Sequence, residues 1–122
     1  MLTDAEKLRR FQKALDYGGN THEVADVVAL IKEGRAQFFS NGDGNIITEI
    51  HTYPNLKAVH FWLISGALKP CLALQDEILP WAMDQGCTVA TAAGRPGWGR
   101  VAAPTGWRPH MPTFVKPLIR MH

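Results

Sequence analysis

The sequence predicts one α/β domain built around a mixed sheet. Its 122 residues suit a single hydrophobic core, and 46% apolar with 20% charged residues is typical of a globular protein. Helical periodicity opens the chain, three strand signals follow one another, and a helix separates them from a fourth strand signal. This order predicts an antiparallel three-strand meander, one parallel β-α-β crossover and flanking helices.

Residues 1–20 predict an N-terminal helix, and residues 21–122 predict the domain that follows it. Thr3 and Glu6 have the spacing of a capping box. Three apolar residues then recur at helical spacing, namely Leu8, Phe11 and Leu15. We expect this apolar stripe to pack either on the domain or on a neighbouring subunit. A second helix is expected to begin after an N-cap at Thr21.

The middle of the chain predicts the meander. The three strands are expected at residues 36–40, 46–52 and 57–65, with turn residues at 41–44 and 54–55 between them. The third strand becomes apolar on both faces, which favours a central place in the sheet. A helix is expected to start near Pro70 and to end at Gly86.

The last third predicts a strand at residues 87–93, parallel to the third strand, then a short helix and a final strand at residues 113–121. Pro117 indicates that this final strand lies at an edge or contains a bulge. The two cysteines, Cys71 and Cys87, are expected to be free buried thiols, because no signal peptide or other mark of secretion accompanies them.

Charge is distributed unevenly along the chain. From Gln85 onward there are five basic residues and no acidic residue. This asymmetry indicates either a surface for an anionic partner, such as nucleic acid, a cofactor phosphate or an acidic protein patch, or ordinary solubilising charge. The apolar runs are too short to span a bilayer. We therefore expect the protein in the cytoplasm or in a particle assembled there.

The polar constellations give few catalytic candidates. The histidines and cysteines lack the spacing of a zinc site, and residues 41–45 (NGDGN) fit a hairpin turn better than a calcium loop, so no metal is predicted. His51 and His60 flank one hairpin, which can bring them near each other in space. In an enzyme, these two and Glu49 would be the general-base candidates. In a non-enzyme they would be solvent-facing strand positions.

The element order from Thr21 resembles the acyl-CoA N-acetyltransferase (GNAT) superfamily without its usual first strand. The most specific part is a strand followed by residues 94–98 (GRPGW), a short helix and the pair Gly106-Trp107. In GNAT proteins a strand, a short helix and a glycine-aromatic pair occur in this order. The resemblance implies a GNAT-like fold over most of the chain.

The chain departs from the GNAT pattern at two places. Members of the superfamily bind the cofactor pyrophosphate with a glycine-rich loop at the start of a helix, where residues 65–70 (SGALKP) hold one glycine and a proline. If acetyl-CoA binds, the resemblance assigns this role to Ser65, Gly66, Ala67 and Lys69. The frequent tyrosine acid is also missing, and tryptophans occupy its region. We therefore assign no catalytic residue and expect no cofactor.

The chain also resembles small GNAT-like proteins of phages, among them internal virion proteins of short-tailed phages. That resemblance implies a non-catalytic structural component in a virion or in the host cytoplasm, with other phage proteins or further copies of itself as partners. The expected interface residues are Arg95, Trp98, Arg100 and Trp107. Two alternatives remain open: an N-acetyltransferase that uses acetyl-CoA, and a small nucleic-acid-binding domain with a basic C-terminal third.

Overall fold

The structure, a computed structural model, describes residues 3–93, 100–111 and 114–120. Three helices come first, α1 (Asp4–Arg9), α2 (Gln12–Tyr17) and α3 (Val24–Lys32). Three strands follow, β1 (Gln37–Asn41), β2 (Gly44–Thr52) and β3 (Lys57–Gly66). Two consecutive helices, α4 (Leu68–Ala73) and α5 (Gln75–Asp84), lead to strand β4 (Val89–Ala92). Residues 100–102 are helical and continue into a short 3₁₀ helix at Ala103–Thr105.

The four strands form one mixed sheet in the order β1-β2-β3-β4. The pairs β1–β2 and β2–β3 are antiparallel, and β3–β4 is parallel, with α4 and α5 in the connection. The predicted meander and crossover are therefore confirmed, as is the internal position of the third strand. No helix within the described residues is long and apolar enough to cross a membrane.

Helices cover both faces of the sheet. On the face that we call the first, residues of α2 and α3 pack against two strand residues, Ile47 and Leu63. On the second face, α5 and the preceding Leu74 pack against Ile46, Val59 and Phe61. Helix α4 lies against β2 and β3. Cys71 and Cys87 are buried and free, as expected. The result is a three-layer α/β/α sandwich in which alternate strand residues serve opposite cores.

The N-terminal region differs in detail from the prediction. One continuous helix was expected, but the chain bends between Arg9 and Gln12, so two short helices form. Phe11 and Leu15 are buried in the first-face core, which shows that this region packs on the domain itself. The division of the chain at residue 20 stays a prediction.

The N-caps of the first two predicted helices have different outcomes. The Thr3 hydroxyl accepts the N–H of Glu6, as the sequence predicts. The predicted cap at Thr21 is wrong, because α3 begins two residues later with a capping box between Glu23 and Asp26. The Thr21 hydroxyl instead lies 2.8 Å from a ring nitrogen of His22.

The predicted final strand does not form. Residues 114–120 have no regular secondary structure, although their composition is typical of a strand. Four large apolar side chains in this segment are each more than 80% exposed, namely Phe114, Val115, Leu118 and Ile119. A strand needs a pairing edge, and Pro117 removes one of the hydrogen-bond donors that this segment would contribute.

Candidate functional site

A β-bulge at Trp62 divides β3 into two halves. Phe61 pairs with Thr48, and Leu63 pairs with Ile47, so Trp62 is an extra residue with no partner on β2. Trp62 and Leu63 consequently both pack against the first-face core instead of pointing to opposite faces. The apolar run over residues 61–64 is the sequence signal for this bulge, but such a run equally predicts a strand that is buried on both faces.

The strand pairing between β3 and β4 ends at this bulge. β4 pairs with β3 only from Ala58 to Phe61, whereas β3 continues to Gly66. The edge of residues 62–66 that faces away from β2 therefore has no partner strand among the described residues. A cleft of about 470 Å³ opens beside this edge, on the first face of the sheet.

The cleft, which we call the β3 cleft, lies between residues 62–66 and the helical N-terminal region. Arg10, Lys13 and Tyr17 line it from that region. The described lining residues are Arg10, Lys13, Ala14, Leu15, Tyr17, Gly18, Thr21, Trp62, Leu63, Ile64, Ser65, Gly66 and Ala93. Pro70 is not among the described residues that line the cleft.

The predicted pyrophosphate loop is held by the turn between β1 and β2. Gly66 has a positive φ of 103°, and the carbonyl oxygen of Asp43 occupies the space in which a Cβ at position 66 would stand. The N–H of Ala67 donates to the same Asp43 oxygen at 3.2 Å. Gly66 is thus needed for a close backbone contact within the domain, whether or not a phosphate binds.

The start of α4 is also packed against this turn. A Cβ added at Gly44 would stand 2.6 Å from the backbone nitrogen of Cys71 and from the carbonyl carbon of Pro70. The Cys71 thiol donates to the carbonyl oxygen of Ser65 at 3.3 Å. Burial raises the pKa of Cys71, and a hydrogen bond with the backbone of Asn45 opposes this shift only in part. Cys71 is therefore a packed, protonated thiol rather than a nucleophile.

The two strand histidines lie close together, as the hairpin predicts, and their rings also stack. The rings of His51 and His60 are 5.1 Å apart with an interplanar angle of 21°. Nδ1 of His60 lies 2.8 Å from the hydroxyl of Thr91, and Nε2 of His51 lies 3.5 Å from a carboxylate oxygen of Glu49. Tyr53 extends the cluster, because its hydroxyl lies 3.4 Å from Nδ1 of His51.

The surroundings of His60 favour the neutral form of its imidazole. Burial is the largest cause that lowers the pKa of His60, the nearby His51 lowers it further, and Glu49 acts in the opposite direction. A neutral imidazole at neutral pH has one ring nitrogen that can accept a proton. His60 alternates along β3 with the second-face residues Val59 and Phe61, so it shares the first face with the β3 cleft.

The four predicted interface residues have different settings. Arg95 and Trp98 lie outside the described residues, and Arg100 is exposed. Trp107 is only partly exposed: its ring packs edge-on against Phe61 at 5.3 Å, and its Nε1 donates to Oε1 of Gln75 at 3.0 Å. Trp107 thus stabilises the second-face core, and its part in an interface stays a prediction.

The remaining candidate sites receive no structural support. Within the described residues, no group of three histidine, cysteine or carboxylate side chains is placed to hold a metal ion. Lys69, within the predicted pyrophosphate loop, is exposed. The basic residues of the C-terminal third that the structure describes are also exposed, namely Arg100, Arg108, Lys116 and Arg120. A role in binding nucleic acid stays a prediction for them.

Several solved structures with a similar architecture are described as acetyltransferases. The chain is similar to a ribosomal-protein-alanine N-acetyltransferase from Brucella melitensis, with 14% identity, a TM-score of 0.66 and 94% of each chain covered. The fold is GNAT-like. An aminoglycoside acetyltransferase from an uncultured soil metagenomic sample is also similar, with 14% identity, a TM-score of 0.67, and 92% of this chain and 88% of that chain covered.

A third similar structure is an acetyltransferase from Trypanosoma brucei, with 12% identity, a TM-score of 0.61, and 91% of this chain and 94% of that chain covered. Neither the known protein families nor the curated proteins contain a match to the sequence. Because identities at this level show the fold alone, the GNAT-like architecture does not carry the activity of these enzymes over to this chain.

Proposed function

We propose that this chain is a non-catalytic GNAT-like binding module. The proposal rests on the loop at residues 65–70, in which few backbone N–H groups are available to a phosphate. A cofactor pyrophosphate would need free backbone N–H groups at the start of α4. The N–H of Ala67 is already donated to Asp43, and Pro70 has no N–H to donate. Between Ala67 and Pro70, only the backbone N–H groups of Leu68 and Lys69 remain. Two such donors are a weak binding site for a diphosphate.

We propose further that the module works within a phage particle, in contact with other phage structural proteins or further copies of itself. The support is the sequence resemblance of residues 94–98 and of Gly106-Trp107 to internal virion proteins. Mass spectrometry of particles purified by density gradient tests this proposal. The chain should be present at a constant ratio to the capsid protein, and its absence from intact particles would contradict a virion role.

One observation favours a second candidate, an N-acetyltransferase. Burial favours the neutral form of the His60 imidazole, which can accept a proton, and His60 shares a sheet face with the β3 cleft although it does not line it. As a general base for an attacking amine, His60 would therefore act through a bridging water. Incubation of the protein with acetyl-CoA and a panel of amines distinguishes the two. The binding-module proposal predicts no acetyl transfer above a heat-inactivated control. Transfer that is lost in His60→Gln would establish the enzyme instead.

A further inference from the structure

The β3 cleft contains a sheet edge that has no partner strand among the described residues. β3 extends beyond its pairing with β4 from Trp62 to Gly66, and the cleft runs beside this segment. A strand edge carries a row of backbone N–H and C=O groups that pair readily with another extended chain. Binding modules commonly use such an edge to add a peptide as an extra strand. The bulge at Trp62 thus creates a place where a foreign strand can join the sheet.

The walls of the cleft indicate which charge that strand carries. Arg10 and Lys13 line the cleft, both side chains are exposed, and neither forms an ion pair with a described residue. The described lining residues include no aspartate or glutamate. Two cations without an ion-pair partner among the described residues, beside an unpaired strand edge, favour acidic side chains on an incoming segment.

We propose that the β3 cleft binds an extended acidic peptide segment of a partner protein, which pairs with residues 62–66 and places its carboxylates against Arg10 and Lys13. The inference rests on the proposed function, because a cofactor in this cleft would occupy the same strand edge. Tyr17 and Trp62 line the cleft as well and provide apolar contact area for the peptide's other side chains.

The C-terminal segment of this chain, or of a second copy, has the wrong charge to occupy the β3 cleft. The described residues 114–120 have no regular secondary structure and include four large apolar side chains, but from Gln85 onward the sequence has no acidic residue. The described cations of this segment include Lys116 and Arg120, which would lie against Arg10 and Lys13 and repel them. A separate acidic partner has the complementary charge.

The test uses short capped peptides, each carrying a fluorophore for anisotropy measurements on the full chain. The main probe alternates glutamate with valine. A second peptide alternates lysine with valine, which reverses the charge. A third alternates glutamate with proline, which keeps the charge but removes the N–H groups needed for strand pairing. We expect the glutamate-valine peptide to bind at least about tenfold more tightly than either of the others.

Charge-reversed variants locate the binding. Arg10→Glu combined with Lys13→Glu should weaken binding of the glutamate-valine peptide by about tenfold or more. The matched control combines Arg9→Glu with Lys32→Glu, which changes the net charge equally at exposed positions that do not line the cleft, and it should bind as the wild type does. Amide hydrogen exchange at residues 62–66 should slow when the peptide is bound.

Three results would overturn the inference: equal binding of the proline peptide, equal weakening in the control variant, or no binding of the glutamate-valine peptide. A parallel titration with acetyl-CoA distinguishes a failure of the peptide-site inference from a failure of the proposed non-catalytic function. If neither the peptide nor acetyl-CoA binds, the peptide site is wrong and the non-catalytic module stands. If acetyl-CoA binds and displaces the peptide, the non-catalytic proposal itself is wrong.

Discussion

The carbonyl oxygen of Asp43 lies against Gly66, in the space that any side chain at position 66 would need. The same oxygen accepts the N–H of Ala67. These two contacts fix the turn between β1 and β2 onto the segment that joins β3 to α4. In GNAT proteins the corresponding segment holds the cofactor pyrophosphate, and here the N–H of Ala67 is committed to a contact within the domain while Pro70 has no N–H.

Replacement of Gly66 by alanine should therefore destabilise the protein by roughly 2–4 kcal/mol, through a strained positive φ and a clash with backbone atoms that cannot move freely. The matched control is Gly19→Ala. Gly19 has a similar φ of 96° but no atom within 4 Å of an added Cβ. It should cost only about 1 kcal/mol. Urea unfolding measures both, and equal losses would show that Asp43 does not constrain position 66.

Trp107 should contribute to folding stability through both its ring and its indole N–H. Trp107→Ala removes the packing on Phe61 and should cost about 2–3 kcal/mol. Trp107→Phe keeps an aromatic ring but leaves the mostly buried Gln75 side chain without its donor, at a cost of about 1 kcal/mol. Phe114→Ala, at a position that is 87% exposed, is the control and should stay within about 0.5 kcal/mol of the wild type.

Protonation of His60 should oppose folding. In the unfolded chain His60 has a pKa near 6.5, and in the folded protein this pKa is lower. The unfolded state therefore binds more protons as the pH falls below about 6.5, so the stability present above that pH is lost as the pH falls through the folded pKa. Urea midpoints at about pH 7.5 and pH 5 measure the effect.

His60→Gln should reduce this pH dependence, because it removes the group whose pKa changes on folding. His110→Gln is the control, since His110 is exposed and has no hydrogen bond with a described residue. The control should keep the wild-type pH dependence. A His60→Gln protein with the wild-type dependence would show that other groups cause the loss of stability at low pH.

Removal of residues 108–122 should leave the domain folded. The described residues of this segment are exposed, so their removal deletes no buried contact that the structure shows. The free energy of unfolding should change by less than about 0.5 kcal/mol. A truncation that begins at Gly106 also deletes Trp107 and should destabilise the protein as Trp107→Ala does. Similar losses in both truncations would place stabilising contacts beyond Trp107.

The sheet topology was predictable because its signals are local. Turn residues such as Gly42 and Asp43 separate the meander strands, and a helix between β3 and β4 leads to a parallel pair. The closeness of His51 and His60 followed from the same hairpin. Each of these features depends on residues that are near one another in sequence or on one connection rule.

The features that shape the site depend on contacts between distant segments. An apolar run such as residues 61–64 has the same composition with or without a bulge, and only pairing with β2 shows that Trp62 is the extra residue. The contact between Asp43 and Gly66 likewise requires the folded sheet. The absent final strand shows the reverse case: residues 114–120 have strand-like side chains, but propensity without a pairing partner does not make a strand.

Isothermal titration of acetyl-CoA into the purified protein tests the central claim most directly. The Asp43 carbonyl oxygen packs against Gly66 and accepts the N–H of Ala67, and Pro70 has no N–H. We therefore expect no binding heat even at high protein concentration. A GNAT enzyme with an intact glycine-rich loop, titrated under the same conditions, confirms that the assay detects binding. Micromolar binding of acetyl-CoA by this chain would contradict the account, because it would show that the loop accommodates the pyrophosphate despite its committed donors.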